Sequence, residues 1–274
     1  MSDPVARALN HLRQRSTQGA ANPDWPITLN FHPDMAVAGR LVIDILAADG
    51  IYRSQFETRT SSGGLTAHQG GDRWLWESRI FGGAYDDEEP MFRPKYGALN
   101  YRDDPVGGSR RFGSSHFRLR SHVRERTTFS YPDSYLEPKN FAVDCVGPLI
   151  ELAEKNELSL DPWLDNYIEA HIHGPLIIEE DVEALILDPS FKGTSIEKAA
   201  VLLGCDVEWH DGFRLSLDHL AECRIYRDPA AADAIVEIAD GVCVTPALLW
   251  RARTAALDYQ TAKWVWHCIA RYGC

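Results

Sequence analysis

Ionisable side chains occupy every second position from Glu169 to His173, with His171 between them. Side chains alternate along a β-strand, so a strand here would set these three in one row with Tyr167. The opposite face of the strand would be apolar, with Ile168, Ala170 and Ile172. One carboxylate and two imidazoles fixed on a strand suit acid–base, electrostatic or metal chemistry. The competing interpretation is the solvent-facing side of an edge strand.

Two other segments, 51–58 and 126–131, are predicted to be strands with polar rows of their own. The rows consist of Arg53, Gln55 and Glu57 in the first segment, and of Arg126, Thr128 and Ser130 in the second. If all three strands are neighbours in one sheet, arginine, hydroxyl and carboxylate groups converge on one cleft. Such a cleft could bind the pyrophosphate of a dinucleotide and hold a carboxylate beside a developing oxocarbenium ion.

The region from 59 to 113 is rich in glycine and aromatic residues. Its paired glycines permit close backbone approach, which suits a loop that cradles a ligand. Neither a GxGxxG turn after a strand nor a GxxxxGK[ST] loop is present. A meander of hairpins held together by aromatic side chains is the alternative.

Arginines are concentrated between residues 110 and 126. The cluster comprises Arg110, Arg111, Arg118, Arg120, Arg124 and Arg126. Guanidinium groups bind phosphate well, so the cluster suggests an anion site. The alternative is a solvated face that binds nothing.

Composition narrows the class of protein. The chain has 274 residues, of which 45% are hydrophobic and 25% charged, as in ordinary globular proteins. A net charge of -12 disfavours nucleic-acid binding. No apolar run approaches a membrane span, and the first residues lack the apolar core of a secretory signal. We therefore expect a cytoplasmic protein with no membrane partner, or one exported by a signal-independent route.

The pattern of elements predicts an α+β fold with a mixed or antiparallel central sheet over 26–190. We expect an N-terminal helix and linker over 1–25, an α+β domain over 26–210 and a helical C-terminal annex over 211–274. Asp34 is predicted to cap a helix that ends at Gly50. Other predicted helices are 3–14, 148–158, 162–166, 216–223, 230–240, 246–257 and 259–272. His32, at the end of the first strand, is either functional or structural.

Several motifs occur together in the order seen in one family. They are FHPD, DGIYRSQFET, GGDRWLWESRIFGGAY, KYGALNY, ERTTFSYPDS and YIEAHIHGPL. On these motifs the sequence, over most of residues 25–215, resembles the uncharacterised bacterial domain-of-unknown-function family 3626. That resemblance implies no activity.

A second resemblance does imply an activity. An arginine on an early strand, a Thr/Ser-rich strand and a late strand with glutamate resemble the Arg–Ser–Glu layout of mono-ADP-ribosyltransferases. The resemblance implies NAD as substrate and an unknown acceptor, either a protein or a small molecule. The late motif departs from the usual Gln/Glu-x-Glu, since Tyr167 precedes Glu169 by two residues. The implied site consists of catalytic Glu169, His171 and His173, and of NAD contacts from Arg53, Gln55, Tyr96, Arg126, Thr127, Thr128 and Ser130.

Two other functions remain open at the level of sequence. The Glu169–His173 row offers two imidazoles and a carboxylate to iron or zinc. On a straight strand these ligands would span about 13 Å, so one ion would require a bend or a ligand from elsewhere. We therefore expect no metal. The other possibility is a non-catalytic module whose glycine-rich loop and aromatic residues hold a partner.

Overall fold

The computed structural model describes residues 3–16, 25–59, 66–253 and 257–273. The strands of this part of the chain are β1 (Ile27–Phe31), β2 (Ala36–Val37), β3 (Arg40–Leu41), β4 (Lys95–Leu99), β5 (Ser115–Leu119), β6 (Thr127–Tyr131), β7 (Asn140–Ala142), β8 (Ile168–Ile172), β9 (Val182–Leu187), β10 (Asp206–Trp209), β11 (Leu215–Ser216) and β12 (Cys243–Val244). Its α-helices are α1 (Pro4–Arg13), α2 (Val42–Asp49), α3 (Gln55–Thr58), α4 (Asp72–Ile80), α5 (Gly147–Lys155), α6 (Ile178–Asp181), α7 (Ser195–Ala200), α8 (Leu220–Tyr226), α9 (Pro229–Ile238), α10 (Pro246–Arg253) and α11 (Tyr259–Tyr272).

One large sheet organises the fold. Among the described residues it has eight strands in the order β10-β9-β5-β1-β4-β8-β6-β7. β10 runs parallel to β9, and the remaining pairs are antiparallel. The predicted α+β fold with a mixed sheet is confirmed. β8 lies inside the sheet, between β4 and β6, and not at an edge.

One face of the sheet carries the main hydrophobic core. Alternate residues such as Leu29, Phe117 and Ile172 point to this face and are fully buried. Helices α2, α5 and α7 contribute their apolar sides to the same core. Full burial of a side chain of this size stabilises the fold by about 1.5–3 kcal/mol. This core is what fixes β8 against rotation about its own axis.

The other face of the sheet is covered by α1 and α4 near β8, β6 and β7. Leu12, Trp76, Phe81 and Tyr85 form a second, smaller core there. Asp3 caps α1 by accepting a hydrogen bond from the Val5 backbone, as the sequence suggests. The polar row of β8 therefore lies beneath protein and not in solvent.

The helices α8 to α11 share a third core with the α+β part of the chain. Val106 and Leu164 pack into this C-terminal core. The Trp266 indole donates to the Arg111 carbonyl at 2.8 Å. His32 accepts from the Trp250 indole at 3.1 Å, which gives it a structural partner. No helix in the described ranges has the length and apolar character needed to span a bilayer.

Three predicted elements are wrong. Residues 51–58 are not a strand: Gln55–Thr58 form the short helix α3, because Ser54 and Glu57 make a reciprocal capping box. The helix that ends at Gly50 begins at Val42, since the small hairpin of β2 and β3 separates it from Asp34. Residues 162–166 make turns and no helix.

Candidate functional site

The register of β8 with its two neighbours builds two polar rows across the sheet. His171 lies opposite Tyr96 of β4 and Thr128 of β6. Two residues earlier on the same face of β8, Glu169 lies opposite Ala98 and Ser130. Of the three segments whose convergence was considered, 126–131 and 169–173 therefore contribute neighbouring strands, and 51–58 does not join them.

The polar rows are closed off from solvent. His171 and His173 are fully buried, and Glu169 is 5% exposed. Helix α4 and the residues after it form the cover, with the Trp76 and Phe81 rings against His171. The interpretation of this face as a solvated strand edge is therefore wrong.

A chain of hydrogen bonds connects the buried side chains. Tyr85 Oη lies 2.7 Å from His173 Nδ1, and Thr128 Oγ1 lies 2.9 Å from His173 Nε2. The same Thr128 oxygen lies 3.0 Å from His171 Nδ1. His171 Nε2 then lies 3.1 Å from a carboxylate oxygen of Glu169. The chain runs without interruption from the tyrosine to the carboxylate.

The chain couples the protons of its members, because Thr128 has only one hydroxyl proton. With a single proton on His171, held on Nε2 for the carboxylate, Thr128 donates to Nδ1 and accepts from His173 Nε2. With two protons on His171, Nδ1 donates to Thr128, and Thr128 donates to His173 Nε2. His173 must then carry its proton on Nδ1 and donate it to Tyr85. Burial, followed by the positive charge of His171, Arg126 and Lys95, lowers the pKa of His173 well below its usual value, so His173 keeps one proton.

Ser134 also holds the carboxylate of Glu169, and its backbone N–H shares one oxygen with His171. The Ser134 backbone N–H donates to one carboxylate oxygen at 3.2 Å, and its hydroxyl donates to the other at 3.1 Å. Burial alone would raise the pKa of Glu169, but His171, Arg73 and Ser134 together hold it below the usual value. Hydrogen bonds to the charged form outweigh desolvation here. Glu169 is therefore an ionised carboxylate at neutral pH, fixed in position by three donors.

A second buried network adjoins Glu169. Arg73 donates to the Ser134 hydroxyl at 2.7 Å, and its guanidinium stacks 4.1 Å from the centre of the Tyr96 ring. The Tyr96 hydroxyl and Arg93 each donate to Glu77 at 2.7 Å. Arg73 Nε has no hydrogen-bond partner within the described residues although it is buried. The network places a guanidinium beside the carboxylate of Glu169.

The structure separates the residues predicted to contact NAD. Arg53 lies between two helices, is 41% exposed, and pairs with Asp49 of α2 and Glu57 of α3, so it does not join the polar rows. Gln55 lies on α3 and not on a strand of the sheet. Their predicted place in the sheet fails because the segment 51–58 is not a strand.

The residues of the second predicted strand divide between two faces. Thr128 and Ser130 lie on the polar face, and the buried Ser130 hydroxyl has no partner in the described chain. Thr127 faces the core and donates to the Val123 carbonyl. Arg126 donates to the His173 carbonyl and pairs with Asp181, at the end of the row.

Most of the arginine cluster is used in ion pairs. Arg118 pairs with Glu183 and Glu208, Arg110 with Asp104 and Arg111 with Asp165. Arg110 and Arg111 lie in the turn before β5, whereas Arg118 lies on β5 itself. The cluster in the sequence therefore does not become one anion site.

Sequence reasoning missed four residues of the site. They are Arg73, Glu77, Tyr85 and Ser134. Arg73 and Glu77 are four residues apart on one side of α4, between two pairs of glycines, and this spacing was the available signal. Ser134 lies just after β6. Nothing in the sequence shows that it contacts Glu169, which is 35 residues further along the chain.

The geometry also bears on the metal alternative. His171 Nδ1 and His173 Nε2 both contact the Thr128 hydroxyl, while their other ring nitrogens contact Glu169 and Tyr85, so all four nitrogens already have a partner in the protein. In the part of the chain that the structure describes, no group of three or more His, Cys, Asp or Glu side chains is arranged to hold a metal ion.

Comparison with known sequences places the chain in a family. No curated protein matches it. A family model described as a protein of unknown function, DUF3626, matches residues 26–151 and 149–272. The two matches cover both the α+β part and the C-terminal helices. The chain belongs to this DUF3626 family.

Proposed function

We propose that the protein cleaves NAD at its nicotinamide–ribose bond and transfers ADP-ribose to an acceptor or to water. The observation that carries the proposal is the state of Glu169. It is a buried, ionised carboxylate that three hydrogen bonds fix in place. Such a group suits a reaction whose transition state gains positive charge.

The proposed reaction has that character. The bond between C1′ of the ribose and the ring nitrogen of nicotinamide breaks, and its electron pair leaves with the nicotinamide. The ribose then carries oxocarbenium charge, which a preorganised carboxylate stabilises by about 3–4 kcal/mol. An acceptor or water adds to C1′ and loses a proton. Glu169 acts throughout as the electrostatic partner of the ribose.

His171 and Ser134 are positioning residues in this proposal. Both donate to Glu169 and thereby fix the direction of its carboxylate. His173 lies two hydrogen bonds further from the carboxylate, through Thr128. It acts on Glu169 only through His171.

Arg73 takes the role first expected of Arg53. It shares Ser134 with Glu169, and its buried Nε has no hydrogen-bond partner among the described residues. A guanidinium with an unused N–H beside the catalytic carboxylate suits a ribose hydroxyl or a phosphate of NAD. Arg73 lies on α4, which also covers Glu169, so binding of NAD requires part of this cover to move.

The test is to look for products from the wild-type chain. Purified protein would be incubated with NAD labelled in the adenine, with and without cell lysate as a source of acceptors. We expect free nicotinamide with an equal amount of ADP-ribose, either free or attached to an acceptor. Glu208→Gln serves as the matched control, because Glu208 is half-exposed and pairs with Arg118 far along the sheet. Absence of nicotinamide release with and without lysate would contradict the proposal.

A further inference from the structure

A groove opens on the surface beyond the end of β4. It is a shallow groove open to solvent and not an enclosed cavity. Its walls come from the turn after β4, from the glycine pair Gly107–Gly108 and from the loop that carries Trp163. None of the residues so far given a role at Glu169 lines this groove.

The groove lies on the same face of the sheet as the polar rows. Ala98 is directly opposite Glu169, and Asn100 is two residues further along the same strand direction. Two residues of extended chain advance about 7 Å. The groove therefore begins a short distance from Glu169, in the direction of the end of β4. Gly108 packs on Ala98 and forms part of the groove wall near the end of β4.

The side chains that line the groove carry a net positive charge. Its charged lining residues are Arg102, Arg110 and Asp104, which leaves one net positive charge in a chain of net charge -12. Arg110 pairs with Asp104, so the positive charge resides on Arg102. Arg102 is exposed, donates from Nη1 to the Asn166 carbonyl at 2.8 Å, and lies with its guanidinium 4.6 Å from the centre of the Tyr101 ring.

Trp163 supplies an exposed aromatic surface beside this charge. The residue is 56% exposed, which is unusual for tryptophan. The Arg110 guanidinium lies 5.1 Å from its ring centre and holds one side of the indole. The rest of the ring is available to a planar ligand. Aromatic rings stack on nucleobases of any sequence, and guanidinium groups bind phosphate.

We propose that this groove binds a nucleotide, with the base on Trp163 and a phosphate on Arg102. If the nucleotide is NAD, its adenosine diphosphate half would lie in the groove and its nicotinamide ribose would be directed to Glu169. The placement of NAD rests on the proposed function. The groove itself does not depend on it.

Calorimetric titration of the full chain with ADP tests the groove. We expect ADP to bind, and Trp163→Ala and Arg102→Gln each to weaken binding about tenfold or more, since each removes one main contact. Both residues are exposed, so the variants should keep the fold, which circular dichroism checks. Arg118→Gln, which removes an arginine outside the groove, should bind ADP as the wild type does. Raising the salt concentration should weaken ADP binding and leave adenosine binding unchanged.

The outcomes separate the groove from the reaction. If wild-type protein shows no binding up to about 1 mM ADP, or if both variants bind ADP like the wild type, the groove proposal is wrong. ADP binding that both variants lose, in a protein that never releases nicotinamide, would keep the groove and remove the proposed reaction. Nicotinamide release with an unchanged KM for NAD in both variants would keep the reaction and rule out the groove as the place where NAD binds.

Discussion

At the scale of single residues, the site depends on where protons lie. Glu169 has three donors and stays ionised, while His173 is buried and keeps one proton. Thr128 joins the two histidines through a single hydroxyl. A change of charge on His171 must therefore reach His173 as a change of tautomer.

This coupling can be observed by nitrogen-15 NMR of the histidine rings. We expect one of two matched states in the wild type. A His171 ring protonated only on Nε2 goes with a His173 proton on Nε2, and a doubly protonated His171 ring goes with a His173 proton on Nδ1, because Thr128 has one hydroxyl proton to donate. Thr128→Val removes the link and should leave the His173 tautomer independent of the protons on His171. An unmatched pair of states in the wild type, or a second proton on His173, would contradict the coupling.

At the scale of elements, glycines determine how the loops meet the sheet. Gly113 crosses so close to β1 that a Cβ there would lie 2.1 Å from the Phe31 carbonyl carbon. At Gly107 a Cβ would lie 2.6 Å from Asn30 Oδ1. The close backbone approach expected from the glycine-rich region exists, but here the partner is the protein's own first strand.

Gly113→Ala should therefore destabilise the fold by about 3 kcal/mol, since backbone and not a flexible side chain must give way. The measurement is the free energy of unfolding from chemical denaturation. Gly193→Ala is the control, because Gly193 has a positive φ of 75° and nothing within 4 Å of an added Cβ. It should cost only about 1 kcal/mol, from backbone strain. Equal losses in the two variants would refute the close-approach explanation.

The alternation of polar and apolar residues predicted a strand correctly where no other local pattern was present. It failed where the same residues also formed a helix-capping pattern. Residues 167–173 alternate strictly, and β8 follows that pattern with its polar row inward. Residues 51–58 alternate as well, yet Ser54-x-x-Glu57 is also a capping box, and the local hydrogen bonds prevailed. Arg73 could not be assigned to the site from sequence, because its contact with Ser134 joins positions 61 residues apart.

At the scale of the whole molecule, several histidines are buried in their neutral form. Burial, followed by nearby positive charge, lowers the pKa of His116 to about 3 and of His267 to about 2. Arg227, Arg111, Lys263 and His32 supply that charge at His267. Unfolding frees these rings to bind protons near pH 6.5, their ordinary value. The stability they contribute is full above that pH and is lost as the pH falls below it.

His267→Gln isolates this effect from buried carboxyl groups such as Glu77, whose pKa is raised by burial and acts in the opposite direction. From about pH 6 down to about pH 4, His267 should cost the wild type about 1.4 kcal/mol of unfolding free energy per pH unit. The variant should lack this part of the slope. Unfolding free energies at several pH values give both slopes, and identical slopes would mean that His267 takes up its proton in the folded state.

The central claim is that the charge of Glu169 drives cleavage of NAD. Glu169→Gln keeps the size of the side chain and removes the charge, and the apolar face of β8 holds the strand in place. The decisive measurement is nicotinamide release at saturating NAD, with NAD binding measured on the same samples. We predict that Glu169→Gln binds NAD and releases nicotinamide about a hundredfold more slowly than the wild type, whereas Glu208→Gln matches the wild type. Normal release by Glu169→Gln would contradict the account.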